Sequence, residues 1–470
     1  MWFCEEGHVI DIRRQREMMA RLVEEMRLRM GPSIKKALLV PPDRTRHHSG
    51  AGDLANMLYH LLEPDCRADV IPALGQHLPH TAEENRWMFG DIPQERIHIH
   101  DWKASCKTIG EISKDFVEYA TNGRADWPIP IEINRALVEE EYDVVVSLGQ
   151  VVPHEVLGFA NHNKNLFIGL GGKSTIGASH IMAACCGGED TLGQIITPLR
   201  GCFNVAERDY LKEVPIVYVL VVKTRDQADE WVLSGLYVGD DIETYVRAAR
   251  YARANTVYVL DKPLHKVICF MDEKEFESTW VANKAIYRTR KVLADGGELV
   301  VIAPGVKRFG EQEEVDRLIR EYGYRGTPHT LQAYKTDDAM RDLGHAAAHL
   351  IHGSSEGRFT ITYAPGHLSR EEVESVGFRY MDIERALRAY NPQRLKDGFN
   401  MVDGKETYFI SSPGLGLWTS KEKLVASLKA NRAFAERMIA GEPNEKIWRQ
   451  MKQWDDEDIK KYESSATEAR

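Results

Sequence analysis

The run Lys36-Ala37-Leu38-Leu39-Val40, followed at once by Pro41-Pro42-Asp43-Arg44-Thr45-Arg46-His47-His48, decides the fold. An apolar stretch bounded by turn residues reads as a strand, and the polar loop at its carboxyl end lies where open α/β sheets bind ligands. The same pattern recurs in Asp143–Leu148, Ile216–Val222, Thr256–Leu260, Leu299–Ala303 and Phe359–Tyr363. Between these runs, apolar residues spaced three or four apart predict helices over Asp11–Met30, Gly52–Leu62, Ile131–Glu140, Asp241–Ala254, Asp272–Ala294, Glu311–Tyr322 and Lys335–His352. Such alternation predicts an α/β fold with a largely parallel sheet.

A chain of 470 residues exceeds one ordinary core. The segment Ala285–Gly297, read as a helix closing into Gly296-Gly297 ahead of the strand Leu299–Ala303, marks a second α/β unit and sets a boundary near residue 270. The expected organisation is an N-terminal catalytic and cofactor-binding α/β domain over 1–270, a C-terminal α/β domain over 271–404, and a segment 405–470 packing back on the first domain. The active site is expected in the cleft between the two domains. The charged tail from Trp454 to Arg470 predicts a solvated helix end that frays.

Composition removes several functional classes. Charged residues at 28% and hydrophobic ones at 43% fit a water-soluble folded protein. With 61 Lys plus Arg against 71 Asp plus Glu, the formal charge of −10 leaves no broad footprint for nucleic acid. No segment approaches the ~20 apolar residues of a membrane span, and the first residues lack a signal peptide's apolar core. Seven cysteines without paired spacing read as reduced thiols, so a cytoplasmic location is expected.

Three loops at predicted strand ends carry the chemistry. The first is the Asp43 loop quoted above. The second, Ala73-Leu74-Gly75-Gln76-His77-Leu78-Pro79-His80-Thr81, leads into a helix where Thr81 and Glu84 form a capping box that leaves His77 unexplained. The third runs from Leu148-Gly149-Gln150 through Pro153-His154 and Lys164 to Gly169-Leu170-Gly171-Gly172-Lys173-Ser174-Thr175 and His180. Gly172-Lys173-Ser174 ends like a P-loop, but Phe167 stands where such a loop requires glycine. What remains is a loop entering a helix at Ser174-Thr175, either a plain junction or a seat for one phosphate.

Taken in chain order, Asp43-Arg44-Thr45-Arg46, Gly75-Gln76-His77 and Pro153-His154 resemble the motifs of the nickel-dependent lactate racemase family. Lys164 follows His154 by ten residues, and His180 follows Lys164 by sixteen, as in that family. The resemblance covers roughly residues 35 to 200. It implies a racemase or epimerase of a small-molecule 2-hydroxy acid working through a nickel pincer nucleotide, a pyridinium mononucleotide whose two sulfur-bearing arms grip Ni. Carried over, Lys164 is the tethering amine, His180 the nickel ligand, and His77 and His154 the acid/base pair. Asp43 and Arg46 stand on the cofactor and substrate side, Lys284 is a candidate for the substrate carboxylate, and Lys173, Ser174 and Thr175 would seat the nucleotide phosphate.

Chemical need agrees with that assignment. Inverting a hydroxylated carbon through a ketone requires a hydride acceptor that no side chain supplies, so the protein's own share is proton transfer. Histidine both accepts and donates near neutral pH. Three departures stand out. Asn161-His162-Asn163 precedes the lysine where the family has Gly-Gly-x, Ser179 replaces an Asn before the nickel histidine, and Val281 stands where a Gln precedes the substrate lysine by three. Loss of that amide, with His47, His48, His80 and His162 added, points away from lactate toward a longer hydroxylated acid such as a sugar acid. The alternative is a non-catalytic relative that binds an anionic ligand or metal.

Overall fold

The computed structural model describes all residues except Pro32, Pro64, Asp229, 440–444 and 468–470. The chain forms two compact α/β units, and no single cut separates them. Unit 1 comprises Met1–Ser179, Ile195–Asn255 and Phe434–Met451; unit 2 comprises His180–Gln194, Thr256–Ala433 and Lys452–Arg470. Among the described residues no helix is long and apolar enough to cross a membrane.

In unit 1 the strands are β1 (Phe3–Glu6), β2 (Lys36–Val40), β3 (Arg67–Val70), β4 (Cys106–Ile112), β5 (Ile129–Asn134), β6 (Val144–Gln150), β7 (Pro153–His154), β8 (Gly158–Phe159), β9 (Ile216–Arg225) and β10 (Trp231–Gly239). Its main sheet has the order β1-β10-β9-β6-β2-β3. The strands β9, β6, β2 and β3 are parallel; at one edge β10 pairs antiparallel with β9 and β1 antiparallel with β10. Ala37 to Val40 are fully enclosed and Val144 to Gln150 are buried throughout, as expected of strands covered on both faces.

Helix α1 (Ile12–Met30) starts where the Asp11 side chain accepts the Arg14 N–H at 2.8 Å. It buries Met18, Met19, Leu22, Val23 and Met26 in one core with Leu54, Ala55, Leu58 and Leu62 of α2 (Ala51–Leu62). Their spacing of three and four places these side chains on one stripe of each helix.

Unit 2 contains β11 (Val257–Leu260), β12 (Leu264–Phe270), β13 (Leu293–Ala303), β14 (Thr360–Pro365), β15 (Arg379–Tyr380), β16 (Gly398–Val402), β17 (Lys405–Ile410) and β18 (Leu417–Ser420). Its main sheet runs β15-β14-β13-β12-β17-β16, parallel except for β16. Both units therefore have the α/β class and the largely parallel sheets expected.

One expected helix is not formed and two others are broken into shorter ones. Residues 131–140 instead supply the end of β5 and a short 3-10 turn, Arg135–Leu137. Ile129, Ile131 and Ile133 alternate into the interior, a period of two, and the Asn134 side chain accepts the Ala136 N–H to start the turn. Over 272–294 there are only the short helices Thr279–Ala282 and Lys284–Thr289. Asp272 closes a turn by accepting the N–H groups of Lys274 and Glu275. Gly296-Gly297 lies inside β13, where the register to β12 shifts and Gly296 has a φ of 75°. Residues 335–352 are split by Asp337, which caps a new turn at Ala339, and by Leu343, so a separate helix covers Gly344–His352. At the C-terminal end, helix continues through Thr467, and residues 468–470 of the expected frayed end lie outside the described residues.

Candidate active site

The loops after β2, β3 and β6 leave the same edge of the unit 1 sheet. Strand β2 lies between β3 and β6, so the chain leaves β2 to one side and returns on the other, a topological switch point. The loops are stitched together there. Pro42 and Ala73 form a β-bridge, and the Gly75 N–H donates to the Gly169 carbonyl at 2.8 Å. A Cβ on Gly169 would stand 2.6 Å from the Ala73 Cβ and 2.3 Å from the Asn165 carbonyl oxygen, so only glycine permits this approach.

Asp43 begins the 3-10 helix Arg44–Ser49, accepting from the Thr45 N–H at 2.8 Å and the Thr45 hydroxyl at 2.5 Å. Its other oxygen receives Arg46 Nη1 at 2.6 Å. His77 Nδ1 lies 3.9 Å from the first oxygen, within ion-pair reach but beyond hydrogen-bond length. Burial pushes the Asp43 carboxyl up, but Arg46, His77 and Thr45 together hold it well below the usual carboxylate range. A buried anion thus stands behind the one imidazole, whose side chain keeps 26% of its surface exposed. The capping box of Thr81 and Glu84 forms, opening helix α3 (Ala82–Phe89), and the neighbouring His80 is used structurally, its Nε2 accepting the Arg44 N–H at 2.9 Å.

His154, on β7, keeps 13% of its side-chain surface exposed, and its Nδ1 accepts the Val156 N–H at 3.1 Å. The neutral ring therefore carries its proton on Nε2. Glu155 Oε2 lies 3.8 Å from Nδ1.

Helix α4 (Lys114–Thr121) precedes β5, and Lys164 sits in the short helix α5 (Asn163–Phe167). Asn165 Nδ2 secures α5 to the sheet, lying 2.9 Å from the Val40 carbonyl oxygen, 3.1 Å from Ser147 Oγ and 3.4 Å from the Leu148 carbonyl oxygen. The Lys164 side chain is half-buried and its amine is desolvated. Desolvation, reinforced by Arg46 and Arg200 against Glu155 and Asp43, pushes the ammonium down to about 7. An amine partly neutral at physiological pH is a usable nucleophile.

In the anion seat expected at Lys173, Ser174 and Thr175, the Ser174 N–H and the Thr175 hydroxyl are taken by the protein itself. These residues open helix α6 (Lys173–Cys185), but the Ser174 N–H donates to Glu132 Oε2 at 2.8 Å. The Thr175 hydroxyl donates to the Pro130 carbonyl at 2.7 Å and accepts the Glu132 N–H at 2.6 Å. A carboxylate from β5 already complements this helix N-terminus.

Unit 1 thus gathers Asp43, Arg46, His77 and Lys164 into one electrostatic cluster. His180 is half-buried on α6, and its contacts group it with unit 2, as do those of Lys284. Lys284 opens the helix Lys284–Thr289, with Nζ 5.5 Å from the Phe276 ring centroid. It acts on Glu275, whose carboxyl burial raises. Among the described residues no cluster of three or more His, Cys, Asp or Glu side chains could hold a metal by itself. Sequence reasoning missed Glu155, Asn165 and Arg200. Arg200, Asn204 and Glu207, polar residues at helical spacing, were the available signal.

The family profile described as the lactate racemase N-terminal domain matches residues 16–191. Among solved structures, a protein from Thermotoga maritima superposes with a TM-score of 0.74 at 24% identity, covering 88% of this chain and 99% of that one. The lactate racemase apoprotein from Thermoanaerobacterium thermosaccharolyticum superposes with a TM-score of 0.63 at 15% identity, covering 86% and 92%. These two are likenesses of fold. No curated protein matches the chain.

Proposed function

We propose, for a chain whose residues 16–191 match the lactate racemase N-terminal domain, that it is a racemase or epimerase of a 2-hydroxy acid using a nickel pincer nucleotide tethered to Lys164. The observation that carries this reading is Lys164 itself. Desolvation pushes its amine down to about 7, on a helix secured to the carboxyl ends of β2 and β6 by Asn165. A lysine with that environment fits covalent attachment, and an imidazole at His180 fits a nickel ion that takes its softer donors from elsewhere.

Lys164 would hold the cofactor and His180 its nickel, and the group would supply reversible hydride-acceptor chemistry at carbon two of the substrate. The chain's own residues manage the proton and the carboxylate. His77, with the Asp43 carboxylate behind it, is the better proton acceptor for the substrate hydroxyl, because the buried anion stabilises its imidazolium. His154, whose neutral form presents Nε2–H, is the better donor when the oxygen regains its proton. Arg46, already oriented by Asp43, and Lys284 are the cations available for the substrate carboxylate; a guanidinium makes the stronger bidentate contact. Ser174 and Thr175 are not carried into this assignment, because Glu132 and β5 occupy their groups. The proposed substrate is a longer hydroxylated acid such as a sugar acid, with Val281 in place of an amide near Lys284.

Intact-mass measurement of protein made in a host that synthesises the cofactor tests the tether. An adduct on Lys164 is expected, together with conversion of one epimer to the other without added nicotinamide and with deuterium at carbon two largely retained. Unmodified protein from a competent host with full activity would overturn the cofactor assignment. Absence of both adduct and turnover would leave a non-catalytic binder.

A further inference from the structure

Two consecutive non-glycine residues, Asn161 and His162, take φ values of 64° and 57° directly before Asn163 and Lys164. Side chains with a Cβ rarely adopt this region, and such strain persists only where surrounding groups over-determine it. The helix Pro198–Tyr210 supplies those groups. Arg200, Asn204 and Glu207 are spaced four and three apart and share one face.

Arg200 is completely buried. Its Nη1 donates to the Asn161 carbonyl at 3.2 Å and to Asn163 Oδ1 at 2.5 Å, and its Nη2 donates to the Phe159 carbonyl at 2.8 Å. Asn163 Nδ2 in turn donates to Asn204 Oδ1 at 2.8 Å and Glu207 Oε2 at 3.0 Å. The other oxygen of Glu207 accepts the Tyr218 hydroxyl at 2.5 Å, and the His162 ring stacks on Tyr218 at 3.9 Å. One buried guanidinium therefore holds three points of the segment 159–163. A lysine could not do this, because it lacks the planar fork. An isolated apolar side chain would pack the same volume without the cost of burying a charge, so the fork's geometry is what the position requires.

We infer that Arg200 is the positioning residue of Lys164: by holding residues 159–163 it determines where the lysine amine stands and keeps it out of bulk water. This rests on the covalent role proposed above for Lys164. The charged groups that face the amine are Arg46, Glu155, Asp43 and Arg200 itself. A released segment would let the amine reach solvent and return toward its ordinary value.

The test uses the full chain made without cofactor. An amine-selective acylating reagent is applied across pH 5 to 10, and modification of each lysine is read by peptide mass mapping, with exposed Lys103 as internal reference. Lys164 is expected to react with a midpoint near 7. In Arg200→Met, and in Arg200→Lys, which keeps the charge without the fork, the midpoint should move up by on the order of one pH unit. At pH 7 that leaves ~5-fold less neutral amine and correspondingly slower modification. Asn163→Ala removes the relay while leaving the guanidinium in place. It should move the midpoint the same way, and it decides the matter if the Arg200 variants do not fold. A folded Arg200 or Asn163 variant with the parent midpoint and rate would overturn the inference, as would a parent Lys164 that titrates together with Lys103. Because no cofactor is present, failure of the tether leaves this result standing, and the reverse holds equally.

Discussion

The side-chain amide of Asn165 lies 2.9 Å from the carbonyl oxygen of Val40, so the helix carrying Lys164 is joined directly to the last residue of strand β2. The same amide reaches Ser147 on β6, the strand beside β2. Lys164 thus takes its place from the sheet on one side, through Asn165, and from the Arg200-held segment 159–163 on the other. Asn165→Ala should leave buried acceptors unsatisfied and cost about 1–3 kcal/mol, measured as a lower denaturant midpoint. It should also broaden the pH range over which Lys164 is acylated. Unchanged stability would show that the amide's bonds are replaced by water.

Gly149 faces Asn161 across the same region, and a Cβ there would stand 1.7 Å from Asn161 Nδ2. Gly149→Ala is expected to displace Asn161 and disturb the segment before Lys164, lowering the yield of cofactor adduct while the rest of unit 1 remains folded. Mass spectrometry beside circular dichroism reads both effects. A full adduct in the variant would refute the dependence.

The two histidines should separate kinetically. Substituting His77 or His154 by Asn is expected to lower turnover by ~10²–10⁴-fold with substrate binding less affected. Asp43→Asn should be gentler in turnover but should shift the acidic limb of the pH profile to lower pH, because the anion that favours the His77 imidazolium is gone. Equal pH profiles for the parent and Asp43→Asn would remove Asp43 as the partner of His77.

Stability should depend on pH through Lys164. Its folded value of about 7 lies below the ordinary 10.5, so between these pH values the unfolded chain binds more protons than the folded one. Folding stability from this group therefore rises as pH rises through that window. Asp43 acts in the opposite pH region. Its depressed carboxyl contributes stability above the ordinary value near 4, which is lost as pH falls toward the folded value. Lys164→Met should flatten the rise between pH 7 and 10 in chemical denaturation, and an unaltered slope would contradict the burial of the amine.

His180→Ala should strip nickel from holoprotein without unfolding it, since the half-buried ring sits on one helix and its removal opens no core layer. Metal analysis of the folded variant provides the measurement, and parent-like nickel content would assign His180 to packing.

The sequence by itself determined the α/β class, because apolar runs such as Lys36–Val40 read as buried strands wherever they occur. It also determined the order and spacing of Asp43, His77, His154, Lys164 and His180. The capping box at Thr81 was equally legible, since it needs only residues three apart. What only the tertiary structure decided depended on partners distant in the chain. Residues 131–140 read as a helix until β5 paired with β4, which made the alternation of Ile129, Ile131 and Ile133 the dominant period. Ser174 and Thr175 read as a phosphate seat until Glu132, 42 residues earlier, took the Ser174 N–H. The Asn161-His162 pair, a departure from glycine in the motif, is tolerated because Arg200, 39 residues beyond Asn161, holds its backbone. Local spacing reports which faces a segment must bury; it does not report which distant polar group will satisfy a buried N–H or carbonyl, and that assignment placed the lysine.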